Sequence, residues 1–248
     1  MIKVTDTEKG KKTTSFKGGF GIDVNEMFKS GLQFGHKTSK VHPKMQPYIS
    51  GSRGGVHILN LEKTAEKLDE ALKFMREVVI SGGKMVFVGT AVQSKEATKE
   101  TAIECKQFYV TNRWLGGTFT NFETIKKRIE KFKELEKEKA TGELEKYTKK
   151  ERLGLDKQLV DFEMKFGGIK DLEKMPEAIL VLDIEKDLMA VKEARLRGVK
   201  IIGIVDTNSN PALVDYMIPA NDNAKSAVKY ILDRIKEAIL DVRPKSEK

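Results

Sequence analysis

One junction in this 248-residue chain has the outline of a phosphate site. Phe87-Val88-Gly89-Thr90-Ala91-Val92-Gln93-Ser94 runs from a strand-length apolar segment into a helical pattern, with a glycine and two hydroxyls at the turn. It lacks both G-x-G-x-x-G and G-x-x-x-x-G-K-[ST], so the cradle is weak, and Ser94 reads equally well as a helix cap. Asp183 and Asp206 each close an apolar run, at the edge where α/β sheets bind ligands, and two carboxylates there suit Mg²⁺. No lysine or serine beside them completes a catalytic set, and Asp206-Thr207-Asn208-Ser209-Asn210-Pro211 reads first as an Asx-rich turn. His36, His42 and His57 are the only histidines, and the single cysteine, Cys105, is far from them. A zinc site needs closely spaced ligands, usually several of them cysteines. No Ser-His-Asp or Cys-His pattern is present. The expectation is therefore no catalytic residue, no metal and no cofactor.

The basic segments point elsewhere. Lys37, Lys40, Lys44 and Arg53 are interleaved with Phe34, His42 and Tyr48 on a Gly/Pro-punctuated stretch. Cations neutralise phosphates while rings stack on bases or pack on sugars. Asn112-Arg113-Trp114-Leu115-Gly116-Gly117 holds the only tryptophan beside an arginine and a glycine pair. Trp114 reads as core packing, and Arg113 as the exposed contact. The chain's +9 net charge is unevenly placed: residues 1–44 carry +5, residues 45–122 and 123–175 carry +2 each, and residues 176–248 are neutral. Localised basic excess fits a polyanion partner; a solvated basic surface is the plainer alternative.

Several elements must position these groups. Residues 1–23 read as a flexible basic arm, with Asp23 opening a short amphipathic turn. Residues 33–60 are loop-like, broken by glycine and proline, with a short strand at His57–Leu59. Leu61, Ala65, Leu68, Leu72, Met75 and Val79 mark a helix over 61–80 that Gly82-Gly83 ends. Residues 84–89, 178–183 and 199–206 are continuous apolar strands, with shorter ones at 107–110 and 215–218. Helices at 93–105, 187–197 and 224–242 alternate with them. Such strands between amphipathic helices predict a Rossmann-like parallel sheet covered on both faces. Between residues 122 and 166 the rhythm changes. Phe122, Ile125, Ile129 and Phe132, then Leu155, Leu159, Phe162 and Phe166, have the spacing of two antiparallel coiled-coil helices. Thr148 with Glu151 forms a capping box between them. The organisation expected is an arm (1–23), an α/β body (24–121 and 167–242), an inserted hairpin (122–166) and a tail (243–248).

No apolar run approaches the length of a spanning helix, and residues 1–24 lack the apolar core of a secretory signal. A lone cysteine fits a reducing cytoplasm.

Taken in order, these segments resemble the bacterial S-two protein family of the small ribosomal subunit. The resemblance rests on Gly31-Leu32-Gln33-Phe34-Gly35-His36, Pro43-Lys44-Met45-Gln46-Pro47-Tyr48-Ile49 and His57-Ile58-Leu59-Asn60-Leu61-Glu62-Lys63-Thr64. Phe87-Val88-Gly89-Thr90, Asn112 to Gly117, Phe166-Gly167-Gly168-Ile169-Lys170 and Ile204-Val205-Asp206-Thr207-Asn208 extend it from about Met27 to Ile239. The family commonly has His at the place of Gln33. The resemblance implies a non-catalytic, structural protein in the cytoplasmic ribosome. It would bind 16S ribosomal RNA between head and body and help dock the S-one protein. Lys37, Lys40, Lys44, Arg53 and Arg113 would position phosphates, and His36, Asn112 and Trp114 would organise the contact surface. The rival is a nucleotide- or sugar-phosphate-binding α/β enzyme using Thr90, Ser94, Asp183 and Asp206.

Overall fold

The structure is a computed structural model that describes residues 20–242. The proposed tail and residues 1–19 of the proposed arm lie outside the described residues. The last residues of that arm are packed down: Ile22 is buried, Phe20 lies under the Arg76 guanidinium, and Arg234 donates to the Gly21 carbonyl.

Asp23 caps α1 (Val24–Lys29) by accepting from the Asn25 amide. Where the sequence reads as a loop with one strand, the chain forms three: β1 (Phe34–Lys37), β2 (Ile49–Arg53) and β3 (Val56–Leu59). They make an antiparallel sheet in the order β1-β3-β2, and a 3-10 turn over Pro43–Tyr48 links β1 to β2. Each strand is short, and only Leu59 among them is buried, so no apolar alternation announces them. Gly54 and Gly55, at φ 59° and 76°, form the two-residue turn joining β2 to β3, a conformation that side-chain-bearing residues resist.

Asn60 then caps α2 (Leu61–Ile80). The body continues through β4 (Met85–Val88), α3 (Lys95–Glu104) and β5 (Phe108–Val110). After an excursion through α4 (Phe122–Ala140) and α5 (Lys149–Phe166) come β6 (Ala178–Val181) and α6 (Leu188–Arg197). The chain closes with β7 (Lys200–Val205), β8 (Tyr216–Pro219) and α7 (Lys225–Asp241). The five body strands are parallel in the order β5-β4-β6-β7-β8. Every residue of β4 and β6 is buried, which explains their unbroken apolar sequence. Period-two alternation sends Met85, Phe87 and Leu180 into one core with α2 and α7, and Val86, Val88 and Val181 into another with α6 and the root of the hairpin.

Helices α4 and α5 run antiparallel, since Phe132 meets Phe162 and, further out, Lys139 pairs with Asp156 at 2.6 Å. Thr148 and Glu151 form the expected capping box. The hairpin's root is gripped by α6. One carboxylate, Glu193, accepts from the amides of Gly117, Phe119 and Thr120, and Arg197 donates to the carbonyls of Phe119 and Thr120. Two expected details differ. Helix α3 starts two residues late, and Ser94 does not cap it, because its hydroxyl donates to the Ala91 carbonyl.

The return from the hairpin covers the edge strand β5. A Cβ on Gly168 would stand 2.1 Å from the Tyr109 carbonyl oxygen, so only glycine allows this approach. Gly168→Ala is expected to destabilise by about 2–3 kcal/mol and to lower the melting temperature by roughly 5–10 °C. Gly154→Ala, whose methyl meets nothing within 4 Å on exposed α5, should instead stabilise by about 1 kcal/mol. Thermal unfolding of the two variants checks both signs.

Candidate nucleic-acid interface

The small antiparallel sheet presents four cations. Lys37 ends β1, Lys40 sits in the following turn, Lys44 is in the 3-10 turn, and Arg53 lies at the tip of the β2–β3 turn. All four are exposed. None of them has a side-chain hydrogen bond or ion pair among the described residues. From Met27 to Leu61 the sequence holds five cations, Lys29 included, and no Asp or Glu. No carboxylate of its own therefore offsets the positive potential of this surface.

This sheet contributes little core, chiefly Met45 and Leu59, and is fastened to the end of β7. The His36 amide donates to the Thr207 hydroxyl at 2.9 Å, and the His42 amide to the Thr207 carbonyl at 2.8 Å. Gly35 is needed there, since a Cβ would stand 2.4 Å from the Thr207 methyl. Beyond β8, Asn221 donates to the carbonyls of Leu32 and Gly31. His42 also caps the 3-10 turn, its Nδ1 accepting from the Lys44 amide.

His36 is part of this fastening. Its Nδ1 lies 3.0 Å from a carboxylate oxygen of Asp206, which is 1% exposed. That hydrogen bond raises the imidazole's pKa above its ordinary value against the cost of burial, while Lys40 opposes the rise. Asp222, 3% exposed, stands beside Asp206. Burial, then the charges of Asp206 and Asp183, push its pKa up to about 8, with His36 acting against them. Burial and these neighbouring charges thus favour the protonated form of Asp222, whose Oδ1 accepts from Asn223 at 2.7 Å. The sequence marks Asp206 but not Asp222, which lies far along the chain in a polar run that spacing does not single out.

Asn112, Arg113 and Trp114 lie elsewhere, past the end of β5. That strand is three places from β7 in the sheet, roughly 14 Å at ordinary strand spacing. Arg113 is exposed. Asn112 is occupied: it accepts from Lys95 and donates to the Met164 carbonyl, tying α3 to the base of α5. Trp114 is 6% exposed and packs edge-on against Phe119 with ring centres 4.9 Å apart. It belongs to the core at the hairpin root, as its core reading expects, and offers no face to a base.

The groups of the rival reading are each engaged by other residues nearby. Thr90 donates its hydroxyl to Asp187 at 2.7 Å and its amide to the other carboxylate oxygen. Asp187, whose pKa burial raises, is thereby drawn away from capping α6. Asp183 accepts from the Lys186 amide, and Asp206 from its neighbour Thr207. The Thr90–Asp187 bonds span the ends of β4 and β6, the switch point of the sheet. Among the described residues no group of three or more His, Cys, Asp or Glu side chains is arranged to hold a metal ion.

The Asp222 proton gives a pH signature. A carboxyl whose folded pKa is raised stabilises the fold below its unfolded pKa, near 4, and loses that contribution as pH rises toward about 8. Asn at this place mimics the protonated acid. Asp222→Asn is expected to flatten the fall in stability between pH 5 and 8, its advantage over the wild type growing across that range. Urea unfolding at several pH values checks it, and parallel curves for the two proteins would contradict the raised pKa of Asp222.

The comparison with known families agrees with the geometry. A family model described as Ribosomal protein S2 matches residues 27–242, from α1 to the end of the last helix. That span contains the basic sheet, its fastening, the body and the inserted hairpin. With most of its length matched in this way, the chain belongs to the ribosomal protein S2 family, a family of structural, non-enzymatic constituents of the small ribosomal subunit.

Proposed function

We propose that this protein binds 16S ribosomal RNA between the head and body of the small subunit, with the β1–β3 sheet against the RNA backbone, and that it helps dock the S-one protein. The observation that carries the RNA reading is the run from Met27 to Leu61, which has five cations and no carboxylate. Four of these cations stand exposed on one small sheet. Lys37, Lys40, Lys44 and Arg53 would each take a phosphate. Recognition would be of RNA shape, since A-form grooves hide base edges and these side chains suit phosphates rather than bases. Arg113 offers a second contact across the molecule, at the root of the hairpin. His36 and Asn112 act behind the surface: His36 fastens the sheet, and Asn112 joins α3 to α5. Support for the S-one protein as a partner comes from the family resemblance.

Replacing Lys37, Lys40 and Lys44 with Ala should weaken binding to 16S ribosomal RNA at low salt. It should also reduce the slope of log affinity against log salt by about 2–3, one phosphate's worth of released counterion for each lysine. Filter binding at a series of salt concentrations measures both. An unchanged slope would place the RNA on another face.

A further inference from the structure

The two helices of the hairpin differ in what they show to the outside. Away from α5, helix α4 turns out Lys127, Lys131 and Glu134, the surface expected of a projecting arm. Helix α5 is apolar on two sides. Its inner side, Leu155, Leu159, Phe162 and Phe166, packs toward α4. Its outer side carries Leu153, Val160 and Met164, which are 56, 59 and 53% exposed. At 100° per residue these three fall within about 40° of one another, on a line roughly 16 Å long. Scattered exposed aliphatics are ordinary; three aligned on the outer face of an arm otherwise clothed in Lys and Glu are not. Beside the line runs a groove of about 330 Å³, floored by the buried Phe132 and Leu159 and rimmed by Glu136, Lys139 and Glu163.

We infer that the outer face of α5 is covered in the assembled small subunit by an apolar segment of a neighbouring ribosomal protein, one bearing carboxylates along one edge. Three properties select that occupant. The stripe is aliphatic, without the aromatic rings on which bases stack, so RNA gains little from it. Its exposed area is on the order of 300 Å², against the roughly 800 Å² per partner of a stable free-standing interface. A second copy of this chain in solution would not be held by it, whereas a protein already fixed in a ribonucleoprotein would gain from covering it. Finally, helical spacing puts Lys150 and Lys157 along one edge of the stripe, and neither is ion-paired among the described residues. The opposite edge holds Asp156, which Lys139 already pairs, together with Lys149 and Glu163, neither ion-paired among the described residues. The unpaired charge bordering the stripe, Lys149, Lys150 and Lys157 against Glu163, is therefore net positive, and it is wholly positive on the Lys150–Lys157 edge, which suits a partner with acidic residues on that side. This inference rests on the membership of the small subunit and adds a protein contact to it.

The test uses Met164 as a reporter. The full-length protein, free and in purified small subunits, is treated with dilute peroxide, and sulfoxide at Met164 is followed by mass spectrometry. A parallel protein carries a photo-crosslinking phenylalanine at Val160. Protection of Met164 by five-fold or more in the subunit, with crosslinks from position 160 to an identified small-subunit protein, is the result expected. Equal oxidation in both states would overturn the inference while leaving the ribosomal role intact. Protection with crosslinks to ribosomal RNA or to a second copy would overturn it too. Absence of the protein from the subunits would remove both the inference and the role on which it rests.

Discussion

A buried cluster of two carboxyls and an imidazole, Asp206, Asp222 and His36, lies beneath the most basic surface of this protein. The β1–β3 sheet brings little apolar mass of its own, so it depends on what the ends of β7 and β8 offer it. They offer Thr207, Asn221 and the group formed by Asp206, Asp222 and His36. Two ionised carboxylates this close and this far from water would repel each other strongly. A proton favoured on Asp222 relieves that repulsion, and the His36 imidazole faces the Asp206 carboxyl at 3.0 Å. The main-chain bonds to Thr207 then hold the strand that carries His36 and Lys37 in a fixed position, without a large hydrophobic contact.

This arrangement separates charge by depth. Carboxylates lie beneath the sheet and cations stand on its outside, with Lys40 near enough to His36 to influence its proton. Because the segment itself has no acidic residue, the outward field is little reduced by surface ion pairs. Elsewhere the molecule is treated differently: along the hairpin, Lys133, Lys139, Lys165 and Lys170 are paired with carboxylates. A similar density of lysine therefore serves two ends, a surface left open for a polyanion and an arm kept near neutrality.

The parts of the fold that were legible in the sequence are those whose burial is simple. Strands β4 and β6 are covered on both faces and so read as unbroken apolar runs. The hairpin has one seam, and Thr148 with Glu151 announces its second helix by a local bond. The small sheet was hidden because its strands are four or five residues long and mostly open to water, which leaves glycines and polar residues where alternation would otherwise show. The cations were visible by type and clustering, but not the groups that hold them in place. Asn223, beside Asp222, is 187 residues from His36, and no local spacing joins them. Likewise Glu193 and Arg197 look like ordinary helix charges until the fold brings them to the turn at Gly117–Thr120.

That grip of α6 on the turn has a mechanical consequence. Helix α4 has 19 residues, a lever of about 28 Å at the usual rise per residue. A tilt of about 5° at its root would displace the tip by roughly 2.5 Å, close to the length of a hydrogen bond. Contacts near the end of such a lever are only as accurate as the angle at its base. One carboxylate holding three amide donors of a single turn, with a guanidinium on two of its carbonyls, restrains that angle at the point where small errors are magnified most. The pointing accuracy of the arm is therefore set in the body, by two side chains one helical turn apart.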